Sequence, residues 1–505
     1  MENKNIQCIN LDSIDKALFS IIPMEFVLKN KILPIKQEEN TLFVAVSAYD
    51  AEVLGQLKIM TRLNIKCIKI EDMKLKSLIK EAYQVIGINK AMKDLLESIK
   101  KVEGASASKI GTKAEIMESP AVKLVEYMIN EAIIKNASDI HIEPGENEVK
   151  VRYRIDGKLF DALTILNEIY NNIVVRIKIL CNMDISEKRI PQDGGCQYKL
   201  KEADYDLRIS TIPVIFGEKI VIRILSSKDE FSSIEKLYLN KGDVNLLRKL
   251  LLKSHGIILV TGPTGSGKTT TLYSMLNELR KRNLNITTIE DPVEYTLQGI
   301  NQINVNIKAG ITFARGLRSI LRQDPDVIMI GEIRDEETAA IAIRAAITGH
   351  LVISTLHTNG TYATIDRLLE MGIEKYLLAD ALIAVISQRL VRKICTKCKK
   401  IYIPNEEERN ILKESLKGNA YKGTGCISCN HSGYHGRVAV SEILMVDDET
   451  KRFIMKKNNI YIKPQQSNMI KNAMDMITEG ITTIEELMIL SNGDIHLMGE
   501  QCEKI

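Results

Sequence analysis

The chain has 505 residues, 45% of them hydrophobic and 27% charged, and 69 basic against 65 acidic side chains leave a net charge of +4. That length accommodates two to four domains with cores of their own, and the near-balance of charge gives no strong pull toward nucleic acid or anionic lipid. No apolar run approaches the roughly 18 residues needed to span a bilayer, and no signal peptide is visible. The expectation is a cytoplasmic protein that reaches any membrane through partners.

Residues 1–100 read as a small α/β domain, with strands at 41–46 and 65–70 around a helix at 51–63. The composition then turns to Gly-Ala-Ser-Ala-Ser and Gly-Thr-Lys, the signature of a flexible linker over 101–118. Ser119-Pro120 opens a helix with a cap residue followed by a first-turn proline. Its apolar positions, Val122, Val125, Ile129, Ala132 and Ile133, recur at helical spacing. From Ser138 to Leu225, alternating stretches such as 149–155 and 220–224 predict an antiparallel sheet interrupted by one helix near 167–181. A domain over 119–228 follows. From about 240 onward, strands alternate with helices as in a parallel α/β core, so 229–505 reads as one larger domain with a mostly helical tail.

Gly262-Pro263-Thr264-Gly265-Ser266-Gly267-Lys268-Thr269 fits the phosphate-loop pattern G-x-x-x-x-G-K-[S/T]. It sits between a buried apolar strand, 256–260, and a helix, 270–282. Glycines let backbone N–H groups curl around phosphates, and the helix N-terminus adds partial positive charge. Lys268 would reach the β/γ-phosphates, and Thr269 would hold Mg²⁺ beside Thr270. The strand 326–330 ends in Gly331-Glu332-Ile333-Arg334-Asp335. Glu332 is the leading candidate for reaching Mg²⁺ or the attacking water, because Asp326 starts the strand and would point away. Glu290, Asp291 and Glu294 crowd three carboxylates into five residues, which suits a metal–phosphate site but also a solvated acidic loop. His350 and His357 flank a strand. Seven residues apart, they cannot share one face of it, so a metal pair is disfavoured and both a structural and a catalytic role stay open.

Cys395-x-x-Cys398 and Cys426-x-x-Cys429 form two knuckles that can place four thiolates around one tetrahedral ion. Zn²⁺ is favoured, with iron or a redox dithiol as alternatives, and the site reads as structural.

Phosphate loop, Ile-Glu-Asp-Pro-Val-Glu, Gly-Glu-Ile-Arg-Asp and Thr-Gly-His…Thr-Leu-His-Thr-Asn, in this order, resemble the secretion ATPases of type II secretion and type IV pilus assembly. Ala137-Ser-Asp-Ile-His-Ile-Glu-Pro144, Pro191-Gln-Asp-Gly194 and Asp206-Leu-Arg-Ile-Ser-Thr-Ile-Pro213 resemble the family's middle domain. Gln388-Arg-Leu-Val-Arg392 and Gly433-Tyr-His-Gly-Arg437 extend the likeness, which covers about 120–490. It implies an α/β fold in which a RecA-like P-loop ATPase core follows a PAS-like α+β domain and a small N-terminal domain, with a four-cysteine zinc insert at 395–429. It further implies a homo-hexameric ring with ATP between the middle and RecA-like domains. By position, Arg208, Arg223, Arg318 and Arg334 would contact phosphate, Glu294 would position water, and His350 and His357 would form a histidine box near the nucleotide.

The four-cysteine insert and the N-terminal domain accompany assembly or secretion ATPases in this family, and the segment from Asn472 to Leu487 resembles that branch too. The N-terminal domain resembles one that docks on an inner-membrane machine. The Arg-Leu-Gly-containing repeat through which some relatives bind cyclic-di-GMP does not occur, which argues against that ligand. Gly360 stands where Asp is usual. The resemblance implies a motor ATPase for type IV pilin assembly, recruited to the membrane by a polytopic platform protein. The alternative is a type II secretion ATPase. A RecA-like nucleic-acid motor is disfavoured by the charge balance, so no nucleic-acid partner is expected.

Overall fold

Among the described residues the strands form four sheets, and the largest has a buried parallel core. The computed structural model describes residues 18, 21–72, 75, 76, 78, 79, 82, 120–225, 233–237, 241–406, 408, 409, 420–456 and 469–490. The 101–118 linker assignment lies outside them, as does the Ser119 cap. The chain divides into two units, Met1–Leu225 and Ser226–Ile505.

In the first unit, helix α1 (Met24–Asn30) leads into strands β1 (Ile32–Glu38) and β2 (Thr41–Val46). Helix α2 (Ala51–Thr61) carries the chain back to β3 (Asn64–Lys69). The strands are ordered β1-β2-β3, antiparallel then parallel. Asp50 caps α2, its carboxylate accepting from the amides of Glu52 and Val53 at 3.0 and 3.2 Å. The strand–helix–strand expectation holds here, but β1 carries Pro34 and escaped it. Proline removes a ladder donor and is tolerated on an edge strand beside a bulge, which is where Pro34 lies.

Helix α3 (Pro120–Ile134) precedes β4 (Ala137–Pro144), β5 (Glu148–Ile155) and β6 (Lys158–Leu166). Helix α4 (Asn167–Leu180) then leads to β7 (Gln192–Leu200), β8 (Ala203–Val214) and β9 (Gly217–Leu225). These six strands form one antiparallel sheet, β6-β5-β4-β9-β8-β7. Alternation sends Ile140, Ile142, Val149, Val151, Ile220 and Ile222 inward against the apolar faces of α3 and α4.

The second unit opens with α5 (Lys241–Leu251) and β10 (Gly256–Thr261). In order follow α6 (Lys268–Leu279), β11 (Ile286–Glu290), β12 (Asn301–Asn304), α7 (Phe313–Ile320), β13 (Val327–Ile330) and α8 (Glu336–Ile347). Then come β14 (Leu351–Leu356), α9 (Thr361–Glu370), α10 (Lys375–Ala381) and β15 (Leu382–Ile394). A small hairpin, β16 (Lys399–Tyr402) with β17 (Ala420–Gly423), carries the knuckles. Strand β18 (Tyr434–Met445) and helices α11 (Asp448–Lys456), α12 (Met469–Thr478) and α13 (Ile484–Leu490) finish the described chain.

The central sheet is ordered β12-β11-β13-β14-β10-β15-β18, parallel except for the β15–β18 pair. Strands β10, β11, β13 and β14 are buried along their whole length, as a parallel sheet covered on both faces requires. Alternate residues of β10 feed two cores, Ile257 and Leu259 into one and Ile258 and Val260 into the other. In such a sheet, ligand-binding loops lie beyond the carboxyl ends of the strands. The loops after β10, β11, β13 and β14 therefore share one edge.

Candidate active site

The phosphate loop joins β10 to α6 at that edge. Gly267 caps the helix at φ +86°, a left-handed conformation that a side chain disfavours. A Cβ there would also press on the Gln388 side chain, 2.8 Å away. Gln388 lies on β15, buried at 1% exposure, with its amide spanning the loop from below. Its Nε2 donates to the Ser266 carbonyl at 2.8 Å, and its Oε1 accepts from the Thr271 hydroxyl at 2.7 Å. Lys268 is buried, and Nζ donates to the carbonyls of Gly262 and Pro263, each at 2.9 Å. Burial lowers its pKa, while the Glu332 carboxylate pulls the other way.

A cavity of about 410 Å³ opens over the loop. Thr264, Gly265, Gly267, Lys268, Thr269 and Thr270 line one side, and Glu290, Asp291, Glu294, Glu332 and His357 the other. Its size suits a nucleotide-sized ligand. The start of α6 aims its amides and dipole into it, the arrangement that binds phosphate. Glu332 follows β13, and the end of that strand is fixed by the Thr355 hydroxyl on the Gly331 carbonyl at 2.8 Å and by the Gly331 amide on the Ile289 carbonyl at 2.8 Å. The Glu332 carboxylate accepts from Arg334 at 2.5 Å and lies 3.3 Å from His357 Nε2. Hydrogen bonding to Glu332 raises the Arg334 pKa further, so this guanidinium is a fixed charge beside the cavity.

The other predicted residues fall elsewhere. His350 precedes β14, at the opposite end of the strand from His357, and its Nδ1 lies 3.0 Å from the Ala345 carbonyl. His350, expected near ATP, is not among the residues that line this cavity. An extended strand of six residues rises about 20 Å, which carries the two histidines to opposite edges of the sheet. Arg318 is exposed on α7 and pairs with Glu337 rather than lining the cavity. An exposed pair of that kind contributes about 0–1 kcal/mol. Arg208 and Arg223 belong to the first unit, directly opposite each other on β8 and β9. Like charges so placed are destabilising, and Asp139 offsets them through Arg223 at 3.2 Å.

Sequence reasoning missed several contributors. Ser387 and Gln388 follow the apolar start of β15 and are buried at 3% and 1% exposure, but their partners lie far away in the chain. Leu390 and Arg437 also line the cavity, from β15 and β18. Tyr273 reads as a core residue of α6, yet its hydroxyl is a hydrogen-bond hub. Asp335, the last residue of the Gly-Glu-Ile-Arg-Asp motif, caps α8 by accepting from the Thr338 amide at 2.8 Å.

The four knuckle cysteines converge. Their sulfurs lie within 4.8 Å of one another, with Cys395–Cys426 and Cys398–Cys429 at 3.8 Å and Cys426–Cys429 at 3.7 Å. The amides of Cys426 and Gly433 donate to Cys429 Sγ at 3.2 and 3.3 Å, the support expected around metal-bound thiolate. The donor set fits a metal ion. No helix among the described residues is long and apolar enough to cross a membrane.

Comparison with known proteins agrees with this geometry. A family model described as "Type II/IV secretion system protein" matches residues 114–489, and one described as "MshEN domain" matches residues 8–87. The type II secretion system ATPase E of Vibrio cholerae serotype O1 is 43% identical over 381 residues, which are 74% of this chain and 75% of that one. The type IV pilus assembly ATPase PilB of Myxococcus xanthus is 37% identical over 505 residues, 96% of this chain and 88% of its own length. The X-ray structure of the Legionella pneumophila ATPase DotB superposes with a TM-score of 0.55 at 22% identity, over 74% of this chain and 96% of that one. That likeness establishes the fold.

Proposed function

We propose a function from one premise: the chain belongs to the Type II/IV secretion system protein family. It is an ATP-hydrolysing motor that drives assembly of type IV pilin subunits at the cytoplasmic membrane. The observation that carries the pilus reading is the reach of the PilB likeness, 96% of this chain, N-terminal region included. Identity over about 74% of the chain does not separate this from the second reading, a type II secretion ATPase: it is 43% to the Vibrio cholerae secretion ATPase and 45% to a type IV pilus assembly ATPase.

The loop amides and the N-terminus of α6 bind the ATP phosphates, with Lys268 supplying positive charge. Thr269 and Glu332 would hold Mg²⁺, which neutralises charge on the β- and γ-phosphate oxygens. Glu294 orients the attacking water from the acidic segment. His357 and Arg334 fix the Glu332 carboxylate, and Arg334 would contact phosphate; Arg318, which lies outside this cavity, would have to leave Glu337 to do so. Arg208 and Arg223 would reach phosphate from the middle domain, taken as 119–228, across a hexameric ring of RecA-like domains, 229–505. A guanidinium matches phosphate oxygens through paired hydrogen bonds. Cys395, Cys398, Cys426 and Cys429 would hold Zn²⁺: zinc–sulfur bonds of about 2.3 Å in a tetrahedron put sulfurs about 3.8 Å apart, and three pairs lie at 3.7–3.8 Å. The ring works cytoplasmically on a polytopic membrane platform.

The test uses the purified full chain with Mg-ATP. Lys268→Ala loses nucleotide binding. Glu332→Gln keeps binding but releases phosphate about 10²–10⁴-fold more slowly. Unchanged turnover in Glu332→Gln contradicts the assignment.

A further inference from the structure

Glu294 does not sit on a regular element. It follows β11 in the segment Asp291-Pro292-Val293-Glu294-Tyr295, which needs an outside anchor to hold a carboxylate at a fixed place over the phosphate loop. Tyr273, five residues beyond Lys268 on α6, supplies one. Its ring is fully buried and meets the Tyr295 ring edge-on at 5.9 Å between centroids. Its hydroxyl donates to Glu290 Oε2 at 2.5 Å. The tyrosine hydroxyl oxygen in turn accepts from the amides of Glu294 at 3.2 Å and Tyr295 at 3.3 Å. Glu290 is held in turn by the Thr288 hydroxyl at 2.6 Å and Gln302 Nε2 at 3.2 Å. Gln302 also donates to the Tyr295 carbonyl at 2.9 Å, and its Oε1 accepts from the Leu297 amide at 2.6 Å.

One hydroxyl thus joins the helix that begins at the phosphate loop, the last residue of β11 and the backbone of the acidic segment. We propose that Tyr273 is a positioning residue that fixes Glu294 relative to the bound phosphates, with Glu290 as the acceptor that orients its hydroxyl. The inference rests on the reading of Glu294 as the carboxylate that orients water. Tyr273 lines the cavity beside Glu290 and Glu294 and acts through the acidic segment. Its action is on turnover, because these bonds join it to the end of β11 and to the acidic segment that carries Glu294.

The experiment compares full-length wild type, Tyr273→Phe, Glu294→Gln and the double variant, each for kcat with Mg-ATP and for Kd with a fluorescent ATP analogue. Phenylalanine keeps the buried ring, and thermal melting checks that the fold is retained. The expected result is a kcat about 10- to 100-fold lower for Tyr273→Phe, the scale of a misplaced catalytic group, with Kd changed less than about twofold. The double variant should be no slower than Glu294→Gln alone, since one effect acts through the other. Loss of turnover in Glu294→Gln with full turnover in Tyr273→Phe overturns the inference and leaves the reading of Glu294 standing. Full turnover in Glu294→Gln overturns both. Effects that multiply in the double variant, or a Kd that weakens as much as kcat falls, mean Tyr273 is a packing residue and overturn the inference.

Discussion

At the scale of single residues, the candidate site divides into groups the sequence announces and groups only packing reveals. The Gly262–Thr269 pattern fixes loop, strand and helix together, because few backbones other than a phosphate loop use glycine, lysine and threonine at those spacings. Glu332 is also legible, since a strand of buried aliphatics ending in Gly-Glu must deliver that glutamate to the sheet edge. Gln388 is not, because nothing local says that it meets Ser266 and Thr271, 122 and 117 residues away. Replacing it by leucine removes both bonds and leaves a buried carbonyl and hydroxyl unsatisfied, at about 1–3 kcal/mol each. Calorimetric titration of Gln388→Leu with a nonhydrolysable ATP analogue should show affinity reduced about tenfold or more. Wild-type affinity would mean the loop holds its shape without that amide.

At the scale of elements, the knuckles clip together the two strands that form one wall of the cavity. Cys395 follows β15, which carries Gln388 and Leu390, and Cys429 lies five residues before β18, which carries Arg437. Helices α12 and α13 brace the same pair. Buried Arg392 on β15 donates to Glu486 at 2.7–2.8 Å and stacks on the Tyr434 ring at 3.7 Å. Structural zinc contributes about 10–16 kcal/mol in small peptides, so a zinc ion held by these four cysteines would brace this wall and its removal would loosen it. The purified protein should hold about one zinc per chain by elemental analysis. Cys398→Ser or a strong chelator should lower Tm by several degrees and expose residues near 395–433 to protease. Metal-free protein with an unchanged melting curve would contradict the structural role. The spacing of four cysteines is readable in one dimension. The clip is not, because the β15–β18 pairing is a product of tertiary structure.

At the scale of the whole molecule, an antiparallel sheet covered by α3 and α4 follows from alternation over 138–225, and the parallel core from alternating strands and helices after 240. The sequence does not place Arg208 and Arg223 against a nucleotide, because such a contact would belong to an assembly of chains. If those arginines complete a neighbour's nucleotide site, mixing wild type with Arg223→Ala should lower the rate per wild-type subunit as the variant fraction rises. A rate strictly proportional to the wild-type fraction would mean that each chain hydrolyses alone.

The central claim is that hydrolysis in this site builds surface filaments. The most direct test is Glu332→Gln in the host, with filaments counted by electron microscopy beside an assay of exported proteins. Loss of filaments with export intact is the result predicted for a pilin-assembly motor. Filaments retained at wild-type number, with exported proteins trapped inside, would contradict it and assign the chain to type II secretion.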